Sequence, residues 1–548
     1  MKLTKSTCVL FLLMSGLCFA EQSVQEIVDA SGFEGGLIVH VGCGDGEITA
    51  ELYKEGRLVL GLDANLENVA RARAHFLEKG VIGDVVADRM LPGTLPLLDG
   101  TVNLVVVSSS RPEATSEEIL RVLAPEGVAF VRGQSGWRKI EKPRPTEIDS
   151  WTHFLHGPDN NPVAADTVVG RPFHMRWAGE PRWQRSHDYL ASMSALVSDG
   201  KKLFYIFDKG ETSTMAVLPN WTLAARDAFN GVVLWERPIK EWEDYLHNFR
   251  SGPVHLPRSL VVADGRLYTF LGYNEPLVAL DLGSGKTLQT YAGTEGVREI
   301  LYAGGRLYLV IHEGRSESSY SEIPKRILVL DARTGKELWE KKDALAKDLS
   351  GATLAVGSGV AVYDARQSLE CVDAVTGKQL WRSQRASPAR YKLYKRAVTV
   401  ISGNTVLWAG SSDNRKRGRG SFLAAFDLKT GTELWRAPAQ EVFNSPPEVF
   451  VIKGQVWSRE GAIKGSKSGY SVARDVRTGK VIHRRPHDSD ILSLSGHAWC
   501  YMNKATTRFL VRGEAGVEFL STENDSGYAH HFTRGTCQYG VLPCNGLL

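Results

Sequence analysis

Four stretches of this chain gather side chains that can move protons or hold anions. WTHFLHGPDNNPVA carries His153 and His156, and PRWQRSHDYLASMSA carries Arg182 and His187. HNFRSGPVHLPR carries His255 and Arg258, and SGHAWCYMNKATTR carries His497. Histidine can serve as a general base near neutral pH, and arginine steadies developing negative charge. Brought to one cavity, these seven candidate catalytic residues would bind an anionic or sugar-like ligand. Scattered, each would satisfy hydrogen bonds between packed elements. Neither HExxH nor CxxC occurs, so no metal site is predicted. A fifth stretch, LIVHVGCGDG, runs an apolar strand into Gly42, Gly44 and Gly46 before a helix starting at Glu47. A glycine turn at a helix N-terminus is a device for holding a nucleotide-like ligand. A dinucleotide fingerprint would need its third glycine at the position of Glu47, so a different nucleoside ligand is indicated.

The elements that must position these residues are announced by a repeat. Six segments share one grammar: LAARDAFNGVVLW, LVALDLGSGKTLQ, ILVLDARTGKELW, LECVDAVTGKQLW, LAAFDLKTGTELW and SVARDVRTGKVIH. In each, an Asp is followed four residues later by a Gly, which is turn chemistry. A Trp follows in four copies, at Trp235, Trp339, Trp381 and Trp435, as an anchor between neighbouring sheets. Gln289 and His483 stand there in the other two, read as drift at a packing position. Upstream hairpin signals such as VADGRLYTFL and YAGGRLYLVI complete about four short antiparallel strands per unit. Units of this size stacked radially make a β-propeller of seven to eight blades. The polar stretches fall outside the repeat, at blade starts, where first strands line a central channel.

The A-x-D-x-x-T-G-x-x-x-W signature resembles the quinoprotein-like propellers over roughly residues 170–548. That group includes quinoprotein alcohol dehydrogenases and the outer-membrane assembly lipoprotein. The resemblance implies a fold and not a chemistry. True quinoprotein dehydrogenases carry an adjacent Cys–Cys pair and a calcium site. No two cysteines are adjacent here, which argues against pyrroloquinoline quinone as cofactor.

Residues 25–133 resemble the class I S-adenosylmethionine-dependent methyltransferases, an α/β Rossmann-like fold. Gly42-x-Gly44-x-Gly46 matches the first motif of that family. VLGLD places Asp63 where the family holds the ribose hydroxyls, and VVADRM places Asp88 at its adenine contact. DGTVNLVVVSSS and EEILRVLAPEGVAFV match the fourth strand and the helix and strand that follow. The resemblance implies S-adenosylmethionine as ligand. The family's final antiparallel hairpin has no evident counterpart after Arg132. The combination, with its W-T-H-x-L-H-G-P-D-N-N junction, resembles a family of planctomycete-type bacterial propeller proteins. Their members continue beyond the C-N-G-L-L at 544–548, which implies a last blade that is incomplete or is completed by HMRWAG at 174–179.

Net charge is +4 over 548 residues, which makes no electrostatic case for nucleic acid. The basic run at 415–419 reads as a solvated loop. Lys2 and Lys5 ahead of CVLFLLMSGLCFA read as a signal peptide cut after Ala20. No other segment is apolar enough to span a bilayer, so a periplasmic or secreted protein is expected. Five cysteines remain, of which Cys537 and Cys544 are near enough in sequence to pair. The expected division is 1–20 leader, 21–135 Rossmann domain, 136–170 linker and 171–548 propeller. Three functions fit. One is a propeller that binds a small molecule, saccharide or protein partner, with oxidoreductase or sugar-directed activity, beside an inactive methyltransferase-like domain. The second is an active methyltransferase with an appended propeller. The third is a non-enzymatic scaffold whose blade edges add a partner's strand.

Overall fold

The computed structural model describes residues 23–109, 114–134, 136–181, 192–210, 219–240, 242, 255–314, 323–384, 397–411, 421–440, 446–460, 470–486, 502–513, 516–533, 535–536 and 539–548. Two compact units divide the chain, Met1–Pro145 and Thr146–Leu548.

In the first unit, apolar runs form β1 (Gly36–Val41), β2 (Arg57–Asp63), β3 (Val85–Arg89), β4 (Val102–Val107) and β5 (Leu123–Gly133). They pair in parallel in the order β3-β2-β1-β4-β5. Ile38, Val39, Val41, Leu104 and Val105 are fully buried, as a sheet covered on both faces requires. Helices α1 (Val24–Ser31), α2 (Glu47–Glu51), α3 (Leu66–Lys79) and α4 (Ser116–Val122) join the strands. Helix α3 buries Val69, Ala72 and Phe76 on one stripe. One expectation is corrected here. The chain turns back after β5 and lays β6 (Gly136–Glu141) antiparallel to it. Residues 136–141 therefore close this sheet and are not linker, and the unit ends near Pro145.

The second unit holds seven four-stranded antiparallel sheets, at 193–238, 261–291, 297–341, 355–384, 398–438, 450–484 and 504–530. These are blades one to seven. The Asp of each repeat accepts from the backbone of its own turn, as Asp427 does from Lys429 and Thr430. Each repeat tryptophan lies over the turn glycine of the next blade and donates to a carbonyl there. Trp235 Nε1 donates to Leu282 O at 3.0 Å, Trp339 to Ala374 O at 3.1 Å and Trp435 to Val476 O at 3.0 Å. A Cβ on Gly377 would sit 2.7 Å from the Trp339 ring, so the turn glycine is also what lets the indole close in. At Gln289 the anchor is replaced rather than lost. Tyr291, two residues on, sends its hydroxyl to Ala332 O at 2.5 Å.

Among the described residues there are seven blades, and neither the expected eighth nor an incomplete last one is found. Blade seven has four strands of its own and gains a fifth, β7 (Val163–Ala164), parallel to its innermost strand. Residues 174–179 form no strand. They belong to a strap that crosses from blade seven to blade one. Arg508 donates to Thr167 O at 2.7 Å, and the Arg171 guanidinium lies 5.8 Å from the Tyr528 ring centroid. Trp177 then docks over Gly231 and donates to Ala228 O at 3.2 Å. It supplies blade one with the tryptophan anchor that the preceding repeat gives blades two, four, five and six. Trp177→Ala is expected to lower unfolding stability by about 2–4 kcal/mol, read as the midpoint in a urea titration of the full chain. A change below about 0.5 kcal/mol would show that the strap does not close the ring.

Candidate functional site

The stretch 151–164 is the hub of the propeller. It passes the innermost strand of all seven blades in chain order and bonds to each. Trp151 exchanges two backbone bonds with Ser198 of blade one, at 3.1 and 2.8 Å. Thr152 O accepts from Val262 of blade two at 3.1 Å, and His153 Nε2 accepts from Tyr302 N of blade three at 3.0 Å. Pro158 O accepts from Val356 at 2.7 Å and Asp159 O from Ile401 at 3.0 Å, on blades four and five. The Asn161 side chain takes Val451 N at 2.9 Å and donates to Val451 O at 3.0 Å. Pro162 O accepts from Ala505 of blade seven at 2.9 Å. All seven contacts fall near the C-terminal ends of the innermost strands, so the hub closes one end of the channel.

This placement fixes what the two candidate histidines do. His153 is 3% exposed. Its Nε2 accepts a backbone N–H, so Nδ1 carries the proton and donates to Thr152 Oγ1 at 2.8 Å. Thr152 Oγ1 donates in turn to His156 O at 3.0 Å. Burial, then the charge of Arg258, pushes the His153 pKa down to about 3. The ring is a neutral acceptor within the hub. His156, at φ 67°, pairs with Asp149 at 2.7 Å. Burial works to raise the Asp149 carboxyl, but the His156 hydrogen bond and charge outweigh it and hold it low. Asn160, at φ 65°, donates to Leu354 O and Thr399 O at 2.9 and 3.0 Å.

Arg258 joins this network from blade two. It donates to Asn160 Oδ1 at 2.8 Å and Leu354 O at 3.0 Å, and lies 3.6 Å from Glu299. Arg258 and Glu299 are 2% and 1% exposed. The structure therefore brings His153 and Arg258 together, but around a packing core.

The opposite end of the channel is chemically different. There the His255 and His312 rings meet edge to face, with centroids 5.3 Å apart. His312 ends a second strand and pairs across the sheet with Lys325. Burial first, and then His255, Lys325 and Arg298, push His312 well below the ordinary histidine value. Burial and Arg366 bring Lys325 down to about 8, against Glu299 and Asp348. Toward blades six and seven, Glu448 meets Arg512 at 2.6 Å, Arg459 at 3.2 Å and Asn503 Nδ2 at 2.5 Å. Sequence reasoning singled out His255 but missed Glu299, His312, Lys325 and Glu448. The available signal was a polar residue ending an apolar strand, as in RLYLVIH. Arg182, His187 and His497 lie outside the described residues, as do Cys537, the basic run and the leader. Cys544 is buried beside the hub. Among the described residues no group of three His, Cys, Asp or Glu could hold a metal ion.

In the first unit the cleft forms where the connections leave β1 and β4 in opposite directions. Gly44 N donates to Asp63 Oδ2 at 3.0 Å, and Asn65 N to Asp63 Oδ1 at 2.8 Å. Asn68 Nδ2 adds a bond to Oδ2 at 3.0 Å. Gly46, at φ 91°, leaves no room for a side chain. A Cβ there would lie 2.8 Å from Ala72 and Phe76, so it lets α2 pack on α3. At Gly44 a Cβ would meet nothing within 4 Å, so that backbone is open to approach. Gly42 follows β1 and bonds through its N–H to Leu62 O at 2.8 Å. Asp88 is exposed near the end of β3, 3.3 Å from Arg73. Beneath the loop, His40 spans Thr49 at 2.8 Å and Ser108 at 2.7 Å. Burial, against the pull of Asp63, brings it to about 4. It is the polar residue of an apolar strand, and sequence reasoning passed over it.

Comparison with known proteins follows the same division. The family described as a methyltransferase domain matches residues 38–127, and the family described as outer membrane protein assembly factor BamB matches 324–508. Quinohemoprotein alcohol dehydrogenase ADH IIB of Pseudomonas putida is 32% identical over 138 residues, 23% of this chain and 19% of that protein. Ubiquinone biosynthesis O-methyltransferase of Chelativorans sp. (strain BNC1) is 33% identical over 105 residues, 19% of this chain and 42% of that protein. The chain thus spans less than half the length of either relative. A europium-containing methanol dehydrogenase overlays 72% of this chain and 86% of its own at a TM-score of 0.47 and 10% identity. No helix among the described residues is long and apolar enough to cross a membrane. The chain carries a methyltransferase-like domain followed by a seven-bladed propeller of PQQ-like repeats.

Proposed function

We propose that this is an exported two-domain protein whose N-terminal unit holds an adenosyl-type nucleoside and whose propeller takes an anionic or saccharide ligand, or a protein partner. The observation that carries the first half is the join of Gly44 to Asp63 across the ends of β1 and β2. That join presents an open backbone turn beside a carboxylate, which suits a ribose and the group it bears. S-adenosylmethionine fits this cradle and, when bound, supplies an activated methyl group. Asp63 would hold the ribose hydroxyls, the 42–46 turn would face the amino-acid end, and Asp88 would meet the adenine. Export rests on the leader at 1–20. Titration calorimetry with S-adenosylhomocysteine tests the site. The full chain is expected to release heat, and Asp63→Asn to bind at least about tenfold more weakly. No heat at millimolar ligand would end this reading.

The propeller ligand is placed at the channel end opposite the hub, on Arg298, Lys325 and the His255–His312 pair. Cations there suit carboxylate or phosphate groups. The matched dehydrogenases favour an oxidoreductase as the second reading. The same cations suit the carboxylates of pyrroloquinoline quinone. Among the described residues no group of three or more His, Cys, Asp or Glu could hold a metal ion. Absorbance after adding the quinone with calcium, together with a dye-linked dehydrogenase assay, decides this reading. The absence of both a spectral shift and activity would remove it.

A further inference from the structure

We propose that the outer flank of blade one holds a second ligand site, separate from the channel and the glycine turn, for a small zwitterion of the α-amino-acid class. An open cavity of about 390 Å³ lies there, lined by Ala178, Gly179, Glu180, Lys209, Arg226 and Glu236. The strap that anchors Trp177 on blade one forms one wall, and the last two strands of the blade form the other.

Arg226 is the centre of the site. It is 7% exposed. Its Nε donates to Tyr205 Oη at 2.5 Å and its Nη1 to Gly231 O at 2.8 Å. These bonds and the Tyr205 ring beneath fix the guanidinium plane. Nη2 has no partner among the described residues, and the Arg226 side chain lines the cavity. Small residues are needed beside it, since a Cβ at Gly179 would lie 3.1 Å from the Arg226 guanidinium carbon. Glu180 stands on the strap wall. No ion pair joins it to Arg226 or to Lys209; Lys209 is taken by Glu236 at 2.6 Å. The cavity thus separates one fixed cation with a free donor from one carboxylate that makes no ion pair among the described residues.

A structural arginine would normally be closed off by a carboxylate of its own. Here two complementary charges face a common space without meeting. A ligand bearing a carboxylate and an ammonium group answers both, the carboxylate on Arg226 Nη2 and the ammonium on Glu180. Such pairing gives orientation as well as affinity, because each end is recognised by only one wall.

Titration calorimetry on the full chain with L-glutamine, N-acetyl-L-glutamine and L-glutaminamide tests this. The free amino acid is expected to bind. Capping either charged group should weaken binding by about tenfold or more. Glu180→Gln alters an exposed side chain and leaves the fold intact. It should weaken glutamine by about three- to tenfold and leave the N-acetyl compound unchanged. Arg226→Lys should weaken the acid-bearing ligands most, since the rigid fork is lost. No heat from any of the common amino acids on the order of 10 mM would overturn the proposal. So would equal binding of glutamine and its N-acetyl form. Neither result bears on the homocysteine nucleoside or the quinone, whose proposed sites lie elsewhere.

Discussion

Arg258→Ala is expected to destabilise the propeller by about 3–5 kcal/mol. The guanidinium is buried; it hydrogen-bonds two groups and pairs at 3.6 Å with a third, and the three come from different parts of the chain. Asn160 belongs to the hub, Glu299 to blade three, and Leu354 O lies just ahead of blade four. Truncation leaves the Glu299 carboxylate without its cation and removes a donor from both Asn160 Oδ1 and Leu354 O. Among the described residues Glu299 then keeps the Ala352 N–H, at 2.6 Å, as its hydrogen bond, with the Lys325 charge nearby. A buried carboxylate stranded in this way is among the costliest local defects. Thermal or urea unfolding of the full chain measures it. Glu299→Gln in the Arg258→Ala background should restore part of the loss, because the stranded charge is gone. A loss under about 1 kcal/mol for Arg258→Ala would show that the hub is not held from this side.

The second large effect is tied to pH. Glu448 is buried, and burial alone would raise its carboxyl. Arg459 and Arg512, with the Asn503 amide, overcome this and hold it at about 2, below the ordinary glutamate value of 4.5. A depressed carboxyl contributes stability that is complete above its unfolded value and is lost as pH falls toward its folded value. The window is therefore about pH 4.5 down to about 2. Across it Glu448 alone should withdraw about 3 kcal/mol of folding stability. Glu448→Gln should lose a similar amount at pH 7, where two buried guanidiniums then face a neutral amide. Its stability should change less on acidification, so that the variant and the parent converge near pH 2.5. Unfolding midpoints measured at intervals from pH 7 to 2.5 check this. Parallel curves for the two proteins would exclude Glu448 as the titrating group.

Much of the architecture is written in short-range chemistry. An Asp that bonds its own turn, a Gly at positive φ and a Trp four residues on are local features. Each repeat states them independently, so the blade unit was legible six times over. The Rossmann-like sheet was legible for the same reason, since Gly42, Gly44 and Gly46 must bend a strand into a helix within a few residues. The outer closure was half legible. HMRWAG was recognised as a closing segment, but Trp177 acts as a missing repeat anchor and not as part of a strand.

The stretch WTHFLHGPDNNP shows where such reading stops. Its histidines and asparagines have the types expected of a catalytic cluster, and the sequence carries no mark of what they face. In the folded chain His153, Asn160 and Asn161 meet backbone groups, and His156 meets the Asp149 carboxylate. Asn161 meets Val451 across 290 positions, and Asn160 meets Thr399 across 239. A strand N–H or C=O is the same group in every residue, so a partner of that kind leaves no signature in composition or spacing. The sequence by itself determined the repeat unit, the glycine turn with Asp63, and the order of the two folds, because those depend on neighbours a few residues apart. Only the tertiary structure decided that 151–164 is a hub, that the channel presents its cations at the other end, and that Glu180 and Arg226 face one cavity. Those depend on ring closure, which sets remote segments side by side through contacts that no local pattern encodes.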